Sequence, residues 1–225
     1  MKKTIYHGSD HVIEEPKFGF GKPYNDYGIG FYCTENPSMA KEWGVGANHD
    51  GYANQYELEC DGLKILNLND RQYGLLHWLA ILLENRNFDA STPLAAEARA
   101  YLLKTFHLDY QSADVIVGYR ADDSYFSFAS DFINGAISYR QLGNAMRLGK
   151  LGQQIVLKSE EAFGQLHFTG YELASTQEWY KKKLFRDRTA RSQYFDLERN
   201  HRQHGDLYIT AILDEEMKPN DPRLR

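Results

Sequence analysis

The run from Tyr24 to Trp43 constrains this chain most: a Gly-x-Gly turn, a short aromatic strand and an amphipathic helix follow one another almost without a linker. Gly28 and Gly30 allow a strained or closely packed backbone. In the strand-like stretch Ile29–Thr34, alternation turns Phe31 and Tyr32 to opposite faces, one for a core and one for a pocket. Asn36-Pro37 signals a helix start, with Asn36 as N-cap and Pro37 in the first turn. That helix extends to about Trp43 and sets Met39, Ala40 and Trp43 on one face. Trp43 follows Tyr32 by eleven residues, so a strand–turn–helix can bring the two rings side by side. Two such rings can hold a flat heterocycle. Taken singly, Tyr32 reads as part of an ordinary edge strand and Trp43 equally well as core packing.

Upstream, Thr4–Tyr6 is a short strand ending at His7-Gly8. A His beside a Gly at a strand end can donate a ring N–H to a ligand hydroxyl, while the Gly lets a ligand approach the backbone. Alone, His7 reads as a structural residue at a turn. Downstream, Asn54–Cys60 alternates as a strand, Asp61-Gly62 marks a hairpin turn, and Leu63–Leu68 is the expected return strand. Asn69 or Asp70 is expected to cap a helix to about Asn85, and Thr92-Pro93 opens another to Phe106. Strands are expected at 114–118, 154–157 and 166–171, helices at 122–133 and 139–148, and a charged helix from 178 to 204. This mixture lacks a regular βαβ rhythm, so the expected class is α+β. The glycines at 28 and 30 precede a strand instead of opening a helix after one, which excludes a Rossmann fingerprint.

The 225 residues carry a net charge of −5, which argues against a strongly basic nucleic-acid binder. The two cysteines, Cys33 and Cys60, are too few for a disulfide framework or a zinc site, which fits a reducing cytoplasm. His201 and His204 lie three apart without the Cys or carboxylates to complete a metal site, so no metal is expected. The N-terminus lacks the apolar run of a signal peptide, and no stretch approaches the ~20 residues of a membrane span.

Together, Tyr6-His7-Gly8-Ser9, Gly28-x-Gly30-Phe31-Tyr32 and Trp43 resemble the diphtheria-toxin and poly(ADP-ribose) polymerase branch of the ADP-ribosyltransferases. The chain is also similar to a bacterial family of such proteins in which Asn-Asp-Tyr-Gly-x-Gly-Phe-Tyr-x-Thr and a later Gln-x-Val-Leu-Lys segment recur. The resemblance covers roughly 1–175, with a helical insertion at about 70–106, and leaves 176–225 as a helical extension packed on it. It implies a split pair of small antiparallel sheets with NAD, as substrate, in the cleft between them. His7 would bond the ribose on the nicotinamide side, the Gly8 backbone would hold the carboxamide, and Tyr32 and Trp43 would sandwich the ring. Ser9, Gly30 and Phe31 complete the implied NAD-binding set. The reaction implied is transfer of ADP-ribose to a macromolecule, protein or nucleic acid, with release of nicotinamide. In bacteria the resemblance implies a toxin or anti-phage effector paired with an antitoxin.

The sequence departs from that pattern at one place. The family's Glu position falls on Gln153 or Gln154, depending on register. A Gln carries no charge and cannot act as a base, although it can bond a ribose hydroxyl. Three readings follow: a slow or mono-transferring enzyme, another acid in its place with Asp122 or Asp123 nearest, or an NAD or ADP-ribose binding module without catalysis. An Asp-Asp pair after a strand is more often a helix cap than a functional acid, and Asp122 and Asp123 carry that plainer reading too. Glu160 and Glu161 read as a helix start. The basic run Lys181–Arg191 reads as a solvated helix face, with a nucleic-acid or acidic-partner contact as the sharper alternative.

Overall fold

A computed structural model gives the fold; it describes residues 1–121, 123–148 and 152–224, without the side chains of 123–125, 197 and 198. The class is α+β, with two small, mostly antiparallel sheets. One has the order β1 (Lys2–Ser9), β3 (Gly51–Glu59), β7 (Leu166–Ala174). The other has the order β2 (Phe31–Cys33), β6 (Gln153–Leu157), β5 (Val115–Tyr119), β4 (Ile65–Asn67).

Strand alternation builds two cores. Cys33 of β2, Val115 of β5, and Ile155 and Leu157 of β6 meet Ile5, Tyr56 and Leu58 of the first sheet in a small core between the sheets. Ile116 and Val156 turn the other way, into a larger core. That core takes in α2 (Leu75–Asn85), α3 (Pro93–Thr105), α4 (Asp123–Ile133) and α5 (Tyr139–Ala145). β6 is thus buried on both faces, and each aliphatic side chain it buries contributes roughly 1.5–3 kcal/mol.

The Asn36-Pro37 helix forms where the sequence places it. In α1 (Pro37–Gly44) the Asn36 side chain accepts from the amides of Ser38 and Met39, satisfying two donors the helix leaves open. Thr92 caps α3 in the same way, and Glu160 and Glu161 open the short α6 (Glu160–Gly164) behind the Ser159 cap.

Four expectations need correction. The hairpin over 54–68 does not form. Gly62 does turn, at φ 83°, but β3 already has β1 and β7 as neighbours, so the chain crosses to the other sheet. There β4 pairs with β5 in parallel, the one parallel pair among the described strands of sheets expected to be antiparallel. The helix expected from Asn69 or Asp70 starts later, at Leu75, because Asn67 folds 67–70 into a turn through its bonds to Asn69 and Asp70. The charged helix from 178 to 204 is broken. It consists of α7 (Lys181–Gln193) between π-helical turns at Thr176–Tyr180 and Tyr194–Arg199, and α8 (Ile209–Asp214) follows a loop.

The tail shares the main core. Tyr194 stacks on Phe128, with ring centroids 3.9 Å apart, and Ile209, Ile212, Met217 and Leu224 are buried there too. The Arg186 Nε–Glu42 Oε2 ion pair, 2.6 Å long and nearly enclosed, fastens α7 to α1.

Candidate functional site: a cleft where the two sheets part

Among the described residues one backbone bridge joins the two sheets, Tyr6 with Thr34, whose backbones exchange bonds of 2.8 and 2.9 Å. One step further the ladder would pair Gly8 with Tyr32, and it does not. The His7 ring intervenes instead, with Nδ1 2.7 Å from the Tyr32 carbonyl oxygen. Backbone polar groups alternate sides along a strand, so the Gly8 N–H and C=O point to the same edge as those of Tyr6. Among the described residues no side chain or loop takes them up. A cleft of about 1020 Å³ opens at this edge, lined by His7, Gly8, Ser9, Gly30, Phe31, Tyr32, Trp43 and Gln154 among others.

A carbonyl only accepts, so His7 Nδ1 carries the proton that bonds Tyr32. Burial pushes His7 down from the ordinary 6.5 to about 4, against the smaller opposing effect of this bond. At neutral pH the ring is uncharged and presents a lone pair at Nε2. It can therefore accept from a ligand hydroxyl, the reverse of the direction the sequence suggests. The sign of the pH effect follows. Below about pH 6.5 the unfolded chain binds a proton that the folded chain excludes, so this stability is complete above 6.5 and is lost as pH falls toward 4. The loss is on the order of a few kcal/mol. Urea unfolding at pH 7 and pH 4.5 should show a smaller drop for His7→Gln than for the unchanged protein.

Gly8 has a structural role beside any ligand contact. A Cβ there would overlap the Ala40 carbonyl oxygen and come within 2.7 Å of Trp43 Cβ, so Gly8 lets α1 lie flat on β1. Gly28 sits at φ 73°, and Gly30 has no room for a Cβ against Val156. Gly28 lies against the Asn85 side chain and Gly30 against β6, so both shape the turn that leads into β2.

Phe31 and Tyr32 face opposite ways, as alternation requires. Phe31 stacks on His7 at 4.2 Å and meets Tyr56 and Phe163 of the inter-sheet core. Tyr32 packs toward the helical core, and its hydroxyl is committed: it donates to the Gly28 carbonyl at 2.6 Å and accepts from the Tyr27 amide at 3.1 Å. Burial pushes the Tyr32 phenol up, so it stays protonated. What Tyr32 offers the cleft is its ring. The Trp43 ring carries the Arg120 guanidinium 4.6 Å from its centre, and its buried Nε1 has no hydrogen-bond partner. Tyr32 and Trp43 are not in ring contact with each other.

Register separates the two glutamines. Gln153 is exposed at the start of β6 opposite Tyr119 and does not line the cleft; Gln154, opposite Gly118, is 6% exposed and does. It lies on the Val156 side of the strand. Its Oε1 is buried without a partner, and its Nε2 lies 3.4 Å from Asp26 Oδ2. Asp122 lies outside the described residues, and so does the Asp123 side chain.

Several cleft residues escaped the sequence reading. Asp26, in the turn before Tyr27, is 4% exposed and lines the cleft. From α7, Lys183, Arg186, Asp187 and Arg191 form a further wall. Their spacing of three, four and eight residues after 183 puts them on one helix face, a signal present in the basic run. Burial and the nearby Arg120 and Arg186 charges lower the Lys183 pKa, and its amine bonds the Val45 carbonyl at 3.4 Å. Seven Lys and Arg line the cleft against four Asp and Glu, in a chain of net charge −5. The cleft is thus a positive region on an acidic protein, suited to an anionic ligand.

Residues 3–168 match the family model described as a protein of unknown function (DUF3990). The chain belongs to the DUF3990 family. No curated protein and no solved structure matches it. The DUF3990 match holds every cleft residue named above from β1, β2, α1 and β6, whereas the α7 wall lies beyond it. Among the described residues no helix is long and apolar enough to cross a membrane.

Proposed function

We propose that this DUF3990 protein is an NAD-dependent ADP-ribosyltransferase that moves ADP-ribose from NAD to a macromolecular acceptor. The observation that carries the reading is the unpaired Gly8 edge opening into the cleft beside the Tyr32 and Trp43 rings. A carboxamide needs one donor and one acceptor, which a single open-edge residue supplies; its flat ring needs aromatic walls. The volume is at the upper end of the roughly 300–1,000 Å³ of ligand clefts, and the basic lining suits a diphosphate.

In this reading His7 Nε2 accepts from a ribose hydroxyl and Gln154 Oε1 from another, which would satisfy a buried acceptor that has no partner among the described residues. The C1′–nitrogen bond breaks with its electron pair passing to the nicotinamide nitrogen, which is thereby neutralised. The ribosyl carbon, left cation-like, is captured by a lone pair of the acceptor, which gives up one proton. Oriented acceptors such as Gln154 Oε1 stabilise positive charge as it develops. Phe20, 86% exposed on the cleft rim, offers a contact for a large acceptor. A bacterial toxin or anti-phage effector, silenced by an antitoxin, is the setting this activity suits.

The uncharged Gln154 favours one second reading, a module that binds NAD or ADP-ribose without turnover. Incubation with NAD labelled in the adenylate half and a cell extract separates the two. Free nicotinamide together with a labelled macromolecule is expected. Saturable NAD binding with neither product would leave the binding module, and no binding would overturn both.

A further inference from the structure

The transferase reading leaves one gap, the charge absent from position 154. We propose that Asp26 supplies it as a positioning residue, acting through the Gln154 carboxamide. Asp26 is buried at 4% exposure and Gln154 at 6%, and both line the cleft. Asp26 Oδ2 accepts from the Ala121 amide at 2.8 Å and faces Gln154 Nε2 at 3.4 Å. The Arg86 guanidinium meets the other oxygen, Oδ1, at 3.4 Å.

A carboxylate against the NH2 end fixes which way the Gln154 amide lies, because the flipped amide would set its own oxygen against Asp26. Oε1, the end without a protein partner, is thereby reserved for a ligand hydroxyl. A charged acceptor on the amide nitrogens also draws electron density onto Oε1, since linked hydrogen bonds polarise one another. Arg86 balances the buried charge at Oδ1, as a buried carboxylate requires, and leaves Oδ2 turned to Gln154. Asp26 and Gln154 then act together where a single carboxylate would otherwise stand. No proton passes to Gln154; it accepts a hydroxyl hydrogen bond that strengthens as the ribosyl cation forms.

The proposal rests on the transferase reading, and nicotinamide release by four proteins tests it: unchanged, Asp26→Asn, Gln154→Glu and the double variant. Asp26→Asn should lower kcat about 100-fold, the scale of losing one oriented polar contact to a transition state, while NAD affinity stays within about threefold. Gln154→Glu alone sets two carboxylates together and should also slow turnover. In the double variant an amide at 26 donates to a carboxylate at 154, and kcat should recover at least about tenfold over Asp26→Asn, a coupling a structural role does not produce. A folded, NAD-binding double variant no faster than Asp26→Asn overturns the proposal, as does wild-type kcat in Asp26→Asn. Should Asp26→Asn fail to fold, Gln154→Met carries the test. It keeps the Ala121 and Arg86 contacts of Asp26 and should lose kcat similarly, and an unchanged kcat overturns the proposal. No nicotinamide from the unchanged protein would overturn the transferase reading itself, and this proposal with it; an active unchanged protein whose variants depart from the pattern above overturns the role of Asp26 alone.

Discussion

Replacing Tyr32 with Ala should weaken NAD binding about ten- to a hundredfold, whereas Tyr32→Phe should leave it within about threefold. The two substitutions separate the ring from the hydroxyl. Alanine scanning puts a stacked aromatic–base contact at about 1–3 kcal/mol, which converts to that range of affinity. The hydroxyl serves the turn by joining the Gly28 carbonyl to the Tyr27 amide. Tyr32→Phe should therefore cost roughly 1 kcal/mol of stability, the net value of a hydrogen bond, with little change in ligand affinity. Tyr32→Ala should cost about 3 kcal/mol through the lost packing. Calorimetric titration with NAD, paired with thermal melting, checks both. Equal affinity losses in the two variants would show that the hydroxyl, and not the ring, meets the ligand.

Gly8→Ala should be strongly destabilising, lowering Tm by about 6–12 °C. The added Cβ meets the Ala40 carbonyl oxygen, which is helix backbone and cannot swing aside. The whole of α1 must lift from β1. Overpacking against rigid backbone falls at the upper end of the usual range, about 3 kcal/mol, a large share of the roughly 5–15 kcal/mol that holds a domain folded. In a chain of this size each kcal/mol is worth about 2–4 °C. Because Trp43 rides on α1, NAD affinity should fall with stability. Gly164→Ala makes the comparison: like Gly8 it has no positive φ, and nothing lies near its Cβ. A melting temperature for Gly8→Ala equal to that of Gly164→Ala would contradict the close packing of α1 on β1.

The legible parts of the fold are those decided within a few residues. Asn36-Pro37 and Thr92-Pro93 announce their helices because the cap bonds are local. Phe31 and Tyr32 alternate because the pleat requires it. The hairpin over 54–68 failed because its turn is local and its pairing is not: β1 and β7 hold both edges of β3. The choice between Gln153 and Gln154 waited on strand register, where one step reverses the face. Asp26 was hidden for a related reason. Beside Asn25 it reads as a turn residue, and its contacts with Ala121, Arg86 and Gln154 come from segments 60 to 128 residues away. The α7 cations were legible as a helix face but not as a cleft wall, because the docking of that helix depends on Glu42 and Phe128.

Titration of NAD into the unchanged protein, followed by competition with nicotinamide, tests the cleft itself. Saturable one-to-one binding is expected, displaced by nicotinamide and weakened at least tenfold by Tyr32→Ala. An NAD titration without saturation, or binding that Tyr32→Ala leaves untouched, would contradict the assignment of this cleft.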